Sequence, residues 1–160
     1  MRKEPEQRLP KKAINVWRLQ NTIDTVLFAL LPTVYYFVQL YIFQSFYQWI
    51  TWVLIGFVIL YGLTKIVIWP VIQWHRFRYE VHEDEVDIKQ GVIIVRRTLV
   101  PMVRVQHVDT EQGPILRKYK MAAVSITSAA TTHMIPTLFI EDADSLRDQI
   151  SRLASVHEDE

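Results

Sequence analysis

Five histidines, His75, His82, His107, His133 and His157, are scattered through a chain of 160 residues. None stands in a spacing such as H-E-x-x-H, which would hold a metal on one helix face. Cysteine is absent, which removes thiolate nucleophiles, disulfides and thiolate metal sites and fits a reducing compartment. His82-Glu83-Asp84-Glu85 carries enough carboxylate to attract a cation, but reads better as a solvated turn between strands. Asp142-Ala143-Asp144 reads as a helix cap, not a catalytic pair. No phosphate-cradling glycine loop and no Gly-x-Ser-x-Gly occurs, and there are only four glycines. The chain is therefore expected to be no enzyme, with no catalytic, cofactor-binding or metal-ligating residue and no cofactor.

The remaining chemistry is basic. Arg96, Arg97 and Arg104 form one group, and Arg117, Lys118 and Lys120 a second. Together they are a candidate binding surface for anionic lipid or for an acidic protein face, each cation near an anionic membrane contributing about 1 kcal/mol. The competing reading is solvated strand faces balanced by Glu83, Asp84, Glu85 and Asp87. Net charge is +1, so no nucleic-acid partner is expected from bulk electrostatics. Two further charges, Asp24 and Lys65, fall inside apolar runs and are candidates for an intramembrane pair, since an unpaired charge in hydrocarbon is costly. The alternative is that each snorkels alone to the interface.

The elements that must position these groups divide the chain. Residues 1–22 form a basic segment with a short helix from about Leu9 to Gln20, either interfacial or an extension of the span that follows, resting its cations on headgroups. Residues 23–74 form a transmembrane hairpin, with spans near 23–43 and 49–69. Each is roughly twenty residues, enough to cross about 30 Å of hydrocarbon as a helix. All five tryptophans, Trp17, Trp49, Trp52, Trp69 and Trp74, flank the runs as an interfacial belt. The uncharged link Gln44-Ser45-Phe46-Tyr47-Gln48 makes a tight turn. Arg2, Lys3, Arg8, Lys11, Lys12 and Arg18 before the first span, with His75, Arg76 and Arg78 after the second, put both termini in the cytoplasm by the positive-inside rule.

Residues 75–156 read as a small domain. Alternation predicts strands over Phe77–Val81, around Val86–Ile88, over Val92–Val100, from Val103 to about Val108, over Ala122–Thr127 and around Thr137–Ile140. A helical turn is expected at Ile115–Tyr119. Ala143, Leu146, Ile150 and Leu153 then form one apolar helical stripe, opened by Asp142 as N-cap. Residues 157–160 are an acidic tail. Short strands followed by one amphipathic helix suggest a small sheet barrel or sandwich with the helix covering an open end.

This order carries a resemblance. Arg78-Tyr79, Gly91, Pro101-Met102-Val103-Arg104-Val105-Gln106-His107-Val108, Gly113-Pro114-Ile115-Leu116-Arg117, Ser125-Ile126-Thr127-Ser128-Ala129 and the final Asp142-Ala143 helix together resemble the bacterial pleckstrin-homology-like (PH-like) membrane proteins, the YdbS-like group. The chain departs from the pattern at Tyr119-Lys120 and Ser128-Ala129-Ala130, where many members have glycine. The resemblance implies a multi-pass protein of the bacterial cell membrane: a two-helix hairpin plus a seven-stranded, all-β PH-like barrel or sandwich with a C-terminal capping helix. It implies no catalysis and a partnership with a larger membrane protein carrying several such domains, in envelope defence. The function expected is a membrane-anchored binding or assembly module, working as a homo- or hetero-oligomer. One alternative is recognition of anionic lipid headgroups. The other is an oligomeric transport subunit lined by Asp24, Gln39, Thr64 and Lys65.

Overall fold

The computed structural model describes residues 4–42, 48–129 and 131–158. The chain forms two compact units. One is Trp17–Val71; the other combines Met1–Val16 with Ile72–Glu160.

Two long helices dominate the first unit. Helix α1 runs Ala13–Ile42 without a break at Pro32. Helix α2 runs Gln48–Leu63, passes through a π-helical turn at Thr64–Ile68, and continues as α3, Trp69–Arg76. The apolar stretches Ala13–Tyr41 and Gln48–Arg76 are 29 residues each, about 43 Å of helix, more than the roughly 30 Å of a bilayer core. Only 6% of the first apolar window and 17% of the second is buried by protein. A core helix would be covered; these present Val26, Leu27, Leu31, Val34, Leu60 and Leu63 outward, as lipid-facing helices do. The link expected from Gln44 to Tyr47 lies outside the described residues.

Four contacts make the helices antiparallel. Thr51 Oγ1 donates to Gln39 Oε1 at 3.1 Å, and Asn21 Nδ2 donates to the Lys65 carbonyl at 2.8 Å. Between them Phe28 stacks on Tyr61 at 5.3 Å. A Cβ at Gly62 would come within 2.8 Å of Thr25 Cγ2, the close approach that small residues permit between membrane helices.

The second unit is a sandwich of two three-stranded antiparallel meanders, β1-β2-β3 and β4-β5-β6, not closed into a barrel. The first sheet holds β1 (Arg78–Val81), β2 (Glu85–Gln90) and β3 (Arg96–Pro101). A 3-10 turn at Met102–Arg104 leads to β4 (Val105–Glu111). Helix α4 (Pro114–Lys118) connects to β5 (Met121–Ser128), β6 (Thr132–Phe139) and α5 (Ile140–Glu158). Tyr79, Val86, Ile88 and Val100 line the inner face of the first sheet, and Val124, Ile126, Ile135 and Leu138 that of the second. Ala143, Leu146 and Ile150 of α5 complete the core, the stripe that the sequence spacing predicts.

Several expectations change. The described residues hold six strands, not seven. Residues 92–95 form the loop before β3 instead of its first half, because Gly91 takes φ +120° and turns the chain there. The expected strand from Val103 starts at Val105, since Met102–Arg104 coils into a 3-10 turn and buries Met102. Strand β6 begins at Thr132, well before Thr137. Helix α5 begins at Ile140, so Asp142 lies in its first turn, where its charge favours the helix dipole. Strand β5 buries Met121 through Ile126 on both faces; Ala122, Ala123 and Ser125 are small enough to allow it.

The N-terminal segment also departs from the reading as a headgroup-resting arm. Pro5, Leu9, Ala13 and Val16 are fully buried. Gln7 pairs with Tyr79 through two backbone hydrogen bonds, 3.2 and 3.1 Å, adding one residue of strand beside β1. The helix expected near Leu9–Gln20 is the first part of α1. Trp74, expected in the interfacial belt, is buried, and its Nε1 donates to the Leu9 carbonyl at 2.8 Å. Leu9→Ala is expected to destabilise the full-length protein by about 2–5 kcal/mol, read by thermal or denaturant unfolding in detergent. A loss below about 0.5 kcal/mol, the range of ordinary surface substitutions, would show that the segment is not part of the core.

Candidate functional site

Arg97 lies on the exposed side of β3, paired with a buried carboxylate. Its Nε lies 3.0 and 3.1 Å from the two oxygens of Asp87, and its Nη2 is 2.6 Å from Oδ2. This fork-on-carboxylate geometry is the strong form of the pair. The hydrogen bond to Asp87 raises the arginine's pKa above its ordinary value, followed by the charges of Asp87, Glu4 and Glu85. The Asp87 side chain is 3% exposed and that of Arg97 33%. Asp87 is therefore no solvated counter-charge, and Arg97 leaves the candidate binding surface. An unpartnered buried acceptor costs about 1–3 kcal/mol, so Arg97→Met should destabilise by that order. Asp87→Asn should cost less, because an amide oxygen still accepts and the guanidinium still reaches water. Denaturant titration of both variants checks the order, and the reverse ranking would contradict it.

The other cations separate. Arg96 sits at the base of the β2–β3 hairpin, opposite Gln90. Arg104 stands exposed on the 3-10 turn between the sheets. Arg117, Lys118 and Lys120 stay together at α4 and the turn after it, where Lys120 adopts φ 54° and its N–H bonds the Arg117 carbonyl at 3.1 Å. A fourth cation joins them. Lys12 Nζ lies 5.4 Å from the centroid of the Phe139 ring, and Phe139 pairs with Met121, the residue after Lys120. The Lys120 carbonyl also accepts the Ile140 N–H at 3.4 Å. Lys12 thus reaches the same end of the second sheet. No sequence signal links it to Lys120; only the burial of Leu9 and Ala13 brings it there.

The N-terminal segment has an ionic tie as well. Lys89 Nζ contacts Glu4 Oε1 at 2.6 Å, and that hydrogen bond holds the Glu4 carboxyl below its ordinary pKa. Burial, then the nearby Asp142 charge, pushes the Tyr79 phenol up.

Asp24 and Lys65 are not brought together. Lys65 Nζ sits over the rings of Trp69 and Tyr61, at 4.6 and 5.8 Å from their centroids. Aromatic faces attract a desolvated ammonium by about 2 kcal/mol, so no carboxylate is needed to hold it there. Asp24 is exposed on α1. The other polar groups of the spans bind each other or their own helix: Gln39 accepts from Thr51, and Thr64 Oγ1 donates to the Leu60 carbonyl at 2.8 Å.

Among the described residues no group of three or more His, Asp or Glu could hold a metal ion. Two surface features escaped the sequence reading. One is the corner where Leu99, Val103 and Arg104 stand exposed around the buried Val100 and Met102. The other is the tip of the β2–β3 hairpin, where Ile93 and Ile94 are 81% and 69% exposed.

Two lipid-facing helices followed by a two-sheet sandwich and a closing helix define a membrane protein with a PH-like domain. The model of the bacterial PH domain family matches residues 26–154, and the chain belongs to that family. It is similar over its whole length to the UPF0699 transmembrane protein YdbS of Bacillus subtilis (strain 168). The two are 46% identical over 163 aligned residues, which cover 100% of this chain and 99% of that protein. It also resembles the UPF0699 transmembrane protein YdbT of the same organism, 21% identical over 84 residues, which are 50% of this chain and 17% of that longer protein. No solved structure matches the chain significantly.

Proposed function

We propose that the chain is a non-catalytic docking module that crosses the bacterial cell membrane twice, keeps both termini in the cytoplasm, and binds a larger membrane protein through its PH-like domain. The exposed corner around Val103 carries this reading. Strands β3 and β4 are edge strands of their sheets, and the corner that joins them displays Leu99, Val103 and Arg104. An edge strand offers unpaired backbone donors and acceptors to a partner strand. Apolar side chains beside an arginine add the composition of an interface core. The likeness of half the chain to part of a longer transmembrane protein supports a partner built from the same kind of domain. We read such an assembly as serving envelope defence, in line with the family resemblance.

The grouping of Lys12 with Arg117, Lys118 and Lys120 favours a second reading, in which that end of the domain holds anionic headgroups. Affinity purification of tagged full-length protein with the longer PH-domain membrane protein of the same cell separates the two. Under the docking reading Val103→Glu lowers recovery about tenfold or more, a loss near 1.4 kcal/mol, while Lys118→Glu leaves it unchanged. Equal recovery with Val103→Glu would contradict the docking reading.

A further inference from the structure

Strand β4, Val105–Glu111, is an edge strand of the second sheet and pairs with β5 alone. On the side away from β5, alternate residues of such a strand hold out backbone N–H and C=O groups. The register sorts its side chains. Val108 and Thr110 lie opposite the buried Ile126 and Val124, and Arg147 Nη1 of α5 donates to Thr110 Oγ1 at 3.5 Å. His107, Asp109 and Glu111 lie opposite Thr127, Ser125 and Ala123 on the other face, and all three are exposed. His107 and Asp109 have no hydrogen bond or ion pair among the described residues, while Glu111 Oε1 accepts from Ser125 Oγ at 3.2 Å. An imidazole thus precedes two carboxylates along one face of an open edge.

This order complements itself in one direction. Antiparallel pairing of two copies about a twofold axis through Val108 sets Val108 opposite its own copy. His107 then stands opposite Asp109 of the second copy, and Val105 opposite its Glu111. Residues directly opposite have Cβ atoms about 4.5–5.5 Å apart. Each imidazole, which keeps an N–H to donate even when neutral, therefore meets one carboxylate directly and a second on the diagonal. On the reverse face Gln106 meets Thr110. In-register parallel pairing would stack carboxylate on carboxylate, which is destabilising. The edge strands β3 and β6 contain Pro101 and Pro136, which have no N–H to give a partner strand; β4 has no proline.

We infer that β4 is the self-association edge of the domain, where two copies pair antiparallel about Val108 and join their three-stranded sheets into one continuous sheet. The occupant is a second copy because the charge order of β4 matches its own reverse. A closed twofold pair also removes an edge that could otherwise template open-ended pairing. The contact needs no other protein, so it and docking through the Val103 corner can each fail alone.

The chain lacks cysteine, so single-site cross-linking is direct. Val108→Cys and, as reference, Glu111→Cys are introduced into the full-length protein, reconstituted alone into phosphatidylcholine vesicles and oxidised with copper phenanthroline. Position 108 faces its own copy within disulfide reach. Position 111 faces Val105 and lies about 20 Å of strand from its own copy. Disulfide-linked dimer should form about tenfold faster at 108 than at 111. Adding His107→Glu to the Val108→Cys protein sets like charges opposite each other and should cut the rate about tenfold. Adding Asp109→Lys as well should restore it, which a folding defect would not allow. Both charged positions are exposed, so neither change threatens the core. Equal rates at 108 and 111, no restoration by the charge-exchanged pair, or cross-linking at 108 only once another protein is added would overturn the inference.

Discussion

One constraint governs this molecule: the polypeptide leaves its domain into the helical hairpin and returns to the same domain. Chain from both sides of the helical hairpin must therefore be built into one core. The contact that meets this demand is the Trp74 indole donating to the Leu9 carbonyl. It ties the segment before α1 to the helix that leaves α2. Around it Leu9, Ala13, Val16 and Phe77 are buried, and Gln7 pairs with Tyr79 at the edge of β1. A buried indole N–H without a partner would itself cost about 1–3 kcal/mol, so the bond fixes the geometry as well as closing the core.

The helices obey a second rule. In hydrocarbon, backbone groups need internal partners, and the π turn at Thr64–Ile68 locally changes the bonding. Trp69 N–H reaches back to the Thr64 carbonyl, and the Lys65 carbonyl is taken by Asn21 of the facing helix. The irregularity is answered by a side chain from α1, beside the close approach of Gly62 and Thr25. Lys65 then rests on Trp69 and Tyr61. Gln39, Thr51 and Asn21 are accounted for by helix pairing, and Thr64 and Lys65 by contacts within their own helical stretch.

Much of this was legible in the sequence. Apolar length located both helices, and alternation located β1, β2 and β5. The 3.6-residue stripe of Ala143, Leu146 and Ile150 located α5. What escaped was non-local. Leu9 looks like part of a basic arm until a domain more than sixty positions away supplies its cover. Val92–Val95 reads as strand because β-branched residues favour strands, but a positive φ at Gly91 overrides that preference. Arg96 and Arg97 are identical in type. Only the strand register, with Arg97 on the face of the buried Asp87, spends one and leaves the other outside. The Asp24–Lys65 pairing failed for a similar reason, since equal depth along two helices does not set their rotation.

The domain thus offers distinct surfaces on one rigid sandwich: an apolar corner with open strand edges, a basic end completed by Lys12, and an apolar hairpin tip. The basic end depends directly on the N-terminal segment being part of the domain, because that segment carries Lys12 to Phe139. Hydrogen–deuterium exchange of the full-length protein in lipid nanodiscs tests that dependence most directly. The Gln7 amide, bonded to the Tyr79 carbonyl, should be protected to the same level as the Tyr79 amide, and both should open together. Exchange of residues 5–12 at the rate of a free tail, with β1 still protected, would contradict a domain completed from both ends of the chain.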